Sequence, residues 1–206
     1  MEIMNQLENL KKISKIKLAN NDPAHDFEHI MRVYRNAEKI CKTENGNKKL
    51  ILSAVLLHDI VKIKNQKDSA IKSAKLSKKI LKENNFFDDE IKIISDAIKE
   101  HSFSKGKIPS SIEGKILQDA DRLDAIGAIG LARVFSFSGS NNRPFYDPKD
   151  PFSRNRSVND NKWALDHFFE KLLTLEKKMN TKTGKILAKN RTKILKNFLK
   201  ELKSEI

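Results

Sequence analysis

The sequence predicts an all-α protein: a compact bundle of several helices, with a long loop ahead of two C-terminal helices. Three observations carry this. Only 7 Gly and 5 Pro interrupt 206 residues, too few breakers to punctuate a chain of short strands. Lys, Leu, Ile, Ala and Glu are abundant, a composition that favours helices over strands. Along most of the chain, apolar residues recur every three or four positions, so they share one helix face. Hydrophobic residues make up 38% and charged residues 33%, which permits a core within one domain spanning residues 1–206.

The elements follow in order. Leu7, Leu10, Ile13 and Ile16 predict a helix over about 5–19, ended by Asn20-Asn21-Asp22-Pro23. Ile30, Val33, Ala37 and Ile40 predict a second over about 26–43, closed by Asn45-Gly46-Asn47. The run Leu50 to Leu57 is apolar nearly all round. By local pattern it fits a buried strand, but its continuation through His58 to Val61 makes it long enough for a buried helix. Amphipathic helices are expected over about 68–83 and 88–102, and another begins after Pro109-Ser110-Ser111. Ala125 to Leu131 is small and apolar, suited to close helix packing. Residues 135–161 hold Gly139, Pro144, Pro148, Pro151 and many Asn and Ser, and predict a long loop. Two helices over about 162–179 and 183–203 complete the chain.

The formal net charge is +14, and much of the excess lies in 171–203. These basic residues are dispersed along amphipathic helices without interleaved aromatics, so a solvated face is expected in preference to a nucleic-acid surface. The charge still attracts anionic substrates. Cys41 is the only cysteine, which excludes an intrachain disulfide and a thiolate zinc site; in its helical pattern it is expected to fill the core. Residues 1–10 contain no apolar run of signal length, and no stretch approaches the roughly 20 apolar residues of a membrane span, so a cytoplasmic location is expected.

The chemistry gathers around histidines and aspartates. His25 and His29 are four apart and share a face if both are helical. His58-Asp59 ends the most apolar helix, where a charge needs a partner or a metal. Asp121 sits between Ala120 and Arg122-Leu123 at the edge of an apolar stripe, with Asp124 three residues on. Two imidazoles and two carboxylates make a mixed nitrogen and oxygen set that suits manganese, iron, cobalt, nickel or zinc, with magnesium also admissible.

Together, His29-Ile-Met-Arg-Val33, Leu57-His58-Asp59-Ile60 and Ala120-Asp121-Arg122-Leu123 resemble the H…HD…D signature of the HD superfamily, with the motifs inside about 20–135. The fuller pattern, His25-Asp26-x-x-His29, Asp119 to Asp124 and His167 to Lys171, resembles stand-alone HD hydrolases of unassigned substrate. This resemblance implies one divalent metal ion held by His29, His58, Asp59 and Asp121. Asp124 competes with Asp121, which is preferred because Ala-Asp-Arg-Leu is similar to the ligand position of stringent-response HD hydrolases. It also implies a phosphohydrolase acting on a nucleotide or another small phosphorylated metabolite. Asp59 or Asp124 would accept a proton, and Lys62 or Arg122 would offset charge developing on phosphate. His25 and Asp26 would orient His29, contact substrate, or cap the helix. Arg32 and Arg122 would bind phosphate or pair with the acidic clusters. His101, on the stripe Ile91, Ile94, Ile98, is either a core histidine or a substrate contact. His167 and Lys171 are expected to secure the C-terminal helix, and Arg143, Arg154 and Arg156 to face solvent. The competing readings are a metal-bound nucleotide sensor without turnover, a basic nucleic-acid-binding helical protein, and a diiron oxygenase. The last lacks adjacent histidines after His58-Asp59.

Overall fold

The computed structural model describes residues 2–19, 26–61, 69–102 and 107–206, and among them there is no strand, as the periodicity predicts. The chain forms two compact units, Met1–Asp121 and Arg122–Ile206.

The first unit is organised around the helix with no polar face. α1 (Glu2–Lys17), α2 (Phe27–Cys41), α3 (Lys48–Leu57), α4 (Ser69–Glu83) and α5 (Asp88–Glu100) follow one another, and α6 (Ile112–Asp124) ends this unit and begins the next. Every residue from Leu50 to Leu57 is buried because α1, α2 and α5 all pack against α3. That surrounds it on more than one side and removes the need for an amphipathic pattern. Each fully buried Leu or Ile here contributes about 1.5–3 kcal/mol relative to exposure. The caps are local. Asn47 accepts from the Leu50 N–H at 3.3 Å, and Asp88, Asp89 and Glu90 in the first turn of α5 meet the positive end of its dipole. The Asn36 side chain, buried on α2, donates to the Ala120 carbonyl at 3.0 Å and pins α6 alongside. At Gly46 a Cβ would lie 2.7 Å from Ile51 Cδ1 and 3.0 Å from Ile116 Cδ1, so a side chain there would have to displace those two methyl ends.

The second unit contains α7 (Gly127–Ser140), α8 (Asp166–Glu170), a 3-10 helix (Leu172–Lys178) and α9 (Lys182–Glu205). Gly127 opens α7 at φ +80°, a conformation that disfavours any side chain. Phe135 forms the hub of an aromatic cluster, with ring centroids 5.1 Å from Phe145, 6.1 Å from Phe168 and 5.6 Å from Phe198. Thr181 caps α9 by accepting from the Gly184 N–H at 2.9 Å.

Two expectations change here. α7 continues to Ser140, so the long loop begins at 141 and not at 135. Burial of Val134 and Ser138 and the Phe135 cluster outweigh the helix-weakening Ser and Gly of that stretch. The helix expected over about 162–179 is broken into α8 and the 3-10 helix at Lys171, whose φ −127° and ψ −60° are not helical. The loop itself is built, with three carboxylates as its anchors. Buried Asp166 accepts from Arg156 Nη1 and Nη2 (2.6 and 2.7 Å), Asn159 N–H (2.6 Å) and Ser153 Oγ (3.0 Å). Asp150 accepts from the Arg154 and Asn155 N–H groups, and Asp160 from His167 Nδ1 at 2.8 Å. Arg156 is therefore bound to this loop and does not project into solvent, whereas Arg154 is exposed.

Among the described residues, no helix is long and apolar enough to cross a membrane.

Candidate metal centre

Four helix ends and helix faces of the first unit bring a set of donor atoms together. His29 lies in the first turn of α2, where Asp26, the N-cap, accepts from the His29 backbone N–H at 2.8 Å. Asp26 thus fixes the position of the ligand candidate through its main chain, one carboxylate oxygen accepting in the cap. His58 caps the C-terminus of α3, with Asp59 next to it; His101 caps the C-terminus of α5; Asp121 projects from α6.

The His29 and His58 rings are buried, while Asp59 and Asp121 expose 25% and 31% of their side chains. The imidazoles form the floor and the carboxylates the lip. His29 Nε2 stands 3.9 Å from Asp59 and 3.6 Å from Asp121; His58 Nε2 stands 3.8 and 4.0 Å from the same two. These separations are too long for hydrogen bonds. For a cation with ligands near 2.1 Å, neighbouring donors sit about 3.0–3.4 Å apart, so the set needs to contract only slightly to hold one.

The histidine chemistry agrees. His58 Nδ1 lies 2.7 Å from the Val55 carbonyl, which can only accept, so the ring proton sits on Nδ1 and the Nε2 lone pair points into the cluster. That Nε2 is fully buried and has no hydrogen-bond partner among the described residues. A buried acceptor left in this state is costly unless a cation or donor meets it. Burial pushes the His58 pKa below the usual imidazole value, and nearby His101 and His29 push the same way against Asp59 and Asp121, so the ring is neutral as a ligand requires. Burial alone would raise the Asp121 carboxyl, but His29, His58 and His101 outweigh it and hold it below the ordinary range.

His101 belongs to this group more closely than its position on an apolar stripe suggested. Its ring meets His58 edge-on with centroids 5.0 Å apart, and its Nδ1 lies 2.6 Å from the Ile98 carbonyl, leaving Nε2 available. Two sets of donors lie within reach of a cation: His29, His58 and Asp121, and His58, Asp59 and His101. No sequence signal marks this, because the approach of residues 58 and 101 depends on α3 packing against α5.

The other candidates fall elsewhere. Asp124 is buried in an ion pair with Arg133 at 2.7 Å. Arg122 is buried and donates to the Lys178 carbonyl. Arg32 is half-buried on α2, one turn beyond His29. His25 and Lys62 lie outside the described residues.

A family model for the HD domain matches residues 26–126. Bacillus subtilis YpgQ, an uncharacterized protein, is 32% identical over 211 aligned residues that cover all of this chain and 96% of YpgQ. Among solved structures, B. subtilis YpgQ in complex with ADP superposes with a TM-score of 0.81 at 30% identity, covering 100% of this chain and 97% of that one. An HD-superfamily hydrolase from Bacillus thuringiensis does so with a TM-score of 0.79 at 32% identity, covering 98% and 97%.

Proposed function

The chain belongs to the HD superfamily, and from that premise we propose that it is a metal-dependent phosphohydrolase acting on a nucleotide or another small phosphorylated metabolite. The observation that carries the proposal is the buried His58 Nε2, a lone pair without a hydrogen-bond partner that faces two carboxylates and a second imidazole. His29, His58, Asp59 and Asp121 would hold one divalent ion, with manganese, iron, cobalt, nickel, zinc or magnesium as the candidates, and His101 stands ready as a further donor. The ADP bound by YpgQ, which this chain matches from end to end, supports a nucleotide as the substrate class. The same end-to-end match supports reading residues 1–206 as one HD-type domain, and the single cysteine suits a cytoplasmic setting.

When bound, a divalent cation supplies a coordinated water with its pKa lowered towards about 7 and polarises a phosphoryl oxygen. The protein's part is positioning and proton transfer. The Val55 carbonyl holds the His58 tautomer, and the Asp26 cap holds His29. Asp59, at the lip, is the group we assign to accept the proton of the attacking water. Asp124 is not given that role, because its carboxylate is already engaged by Arg133. Arg122 donates to the Lys178 carbonyl. Arg32, one turn beyond His29 on α2, and, through the family resemblance alone, His25 and Lys62 are the groups we assign to meet the phosphate.

The test is phosphate or pyrophosphate release from a panel of nucleoside mono-, di- and triphosphates with manganese, magnesium, cobalt or nickel. The proposal expects metal-dependent turnover that falls by more than about 100-fold in Asp59→Asn. Turnover that survives chelation, or that is undiminished in Asp59→Asn, contradicts it.

A further inference from the structure

Read along the sequence, the basic residues of α9 look dispersed; on the helix they converge. Lys182, Lys185, Lys189, Lys193, Lys196, Lys200 and Lys203 follow one another at spacings of three and four, and all seven are exposed. At 3.6 residues per turn they fall within an arc of about 80°, in a single file about 31 Å long. Among the described residues, no ion pair engages any of them.

This pattern works against the helix that carries it. Each consecutive pair in the file is a like-charge i,i+3 or i,i+4 neighbour, and Lys182 and Lys185 stand at the positive end of the helix dipole, where the first turn holds no acidic residue. Elsewhere lysines have such partners: Lys11 meets Glu8, Lys79 meets Glu83 and Lys92 meets Asp96. On α9 the two glutamates, Glu201 and Glu205, are four apart from each other and neither is three or four residues from any lysine of the file. An extended polyanion laid along the file removes the repulsion.

We propose that the α9 lysine file binds the phosphodiester backbone of a nucleic acid without reading its sequence. A nucleic-acid strand presents one charge every ~3.4 Å of axis, so the file spans about nine phosphates. No aromatic side chain lies on the exposed face to stack a base. Phe198, the only aromatic of α9, packs against Phe135 and Phe168. A lipid surface fits less well, because the small and apolar side of α9 (Gly184, Ala188, Thr192, Leu195) is buried, leaving only Ile186 and Ile194 to insert. The inference is independent of the hydrolase reading, since no donor of the metal centre is on α9.

The experiment is fluorescence anisotropy of the full chain with labelled oligonucleotides of about 20 bases and several sequences, at about 50–200 mM salt. We expect binding alike for all sequences, weakening steeply with salt and unchanged in His58→Ala. In the triple variant Lys189→Glu, Lys193→Glu, Lys196→Glu, affinity at low salt falls at least ~100-fold, and the log–log salt slope flattens by about 2–3. The corresponding triple Lys→Gln variant, which keeps good helix formers, shows the same flattening and decides the matter if the charge reversal does not fold. Absence of binding at low salt, unchanged affinity in the Lys→Gln variant, or loss of binding in His58→Ala overturns the proposal. So does tighter binding to phosphatidylserine vesicles that oligonucleotide fails to displace.

Discussion

Replacing Asp166 by Asn tests whether the long loop is held by one buried carboxylate. The side chain is fully buried and accepts four hydrogen bonds, two of them from the Arg156 guanidinium. Asn keeps the volume but removes the charge and turns an NH2 group towards donors. Breaking a buried pair by removing one partner costs about 3–5 kcal/mol. Arg156 is 20% exposed and retains Asp147 at 3.4 Å, so we place the loss at about 2–4 kcal/mol at pH 7. Trp163, the only tryptophan, lies three residues from Asp166, so its fluorescence during urea unfolding reports on this region. The pH dependence has a definite sign. Burial would raise the Asp166 carboxyl, but the Arg156, Asn159 and Ser153 hydrogen bonds prevail and hold it below the usual range. A depressed folded pKa stabilises above the unfolded value, about 3.9, and that stability is lost as pH falls through the folded value. The gap between wild type and variant should therefore be full at pH 7 and close below about pH 4. A variant within about 0.5 kcal/mol of wild type at pH 7, or a gap that widens in acid, refutes this account of the loop.

Asp26→Ala should cost about 1 kcal/mol of stability and weaken metal binding at least ~10-fold, while Asp26→Ser, which also caps, should restore both; calorimetric metal titration beside urea melts checks this. Burial pushes the Cys41 thiol up to about 11, with Lys48 opposing and Glu38 adding to the effect, so the native thiol should react with a disulfide reagent at pH near 8 at least ~100-fold more slowly than the urea-unfolded chain. Cys41 is half-buried and stands at the edge of the core that the sequence predicts it to fill, and equal rates would contradict even that partial shielding.

The sequence made α2 legible, because a capping residue, a three- and four-residue stripe and a Gly-containing stop all agree there. Leu50 to Leu57 reads as a buried helix from its length and not from its pattern, since a segment buried on all sides carries no periodicity; α3 bears that reading out, with α1, α2 and α5 packed around it. Residues 135–140 misled because Gly and Ser weaken a helix locally, while the aromatic cluster that keeps Phe135 helical joins residues up to 63 positions away. The donor residues of α2, α3 and α6 were legible as a motif. His101 was legible as a core histidine or a substrate contact but not as a donor beside His58, and the engagement of Asp124 and Arg122 by Arg133 and the Lys178 carbonyl was not legible at all, because each depends on tertiary packing with no local signature.

The most direct test of the central claim is metal stoichiometry of the purified protein by mass spectrometry, after equilibration with manganese and exhaustive removal of free ion. A single tightly held ion per chain is expected, abolished in His58→Ala and in Asp121→Ala with helical content unchanged. A wild-type protein that retains no ion, or variants that retain it in full, would contradict the metal centre on which the proposed function stands.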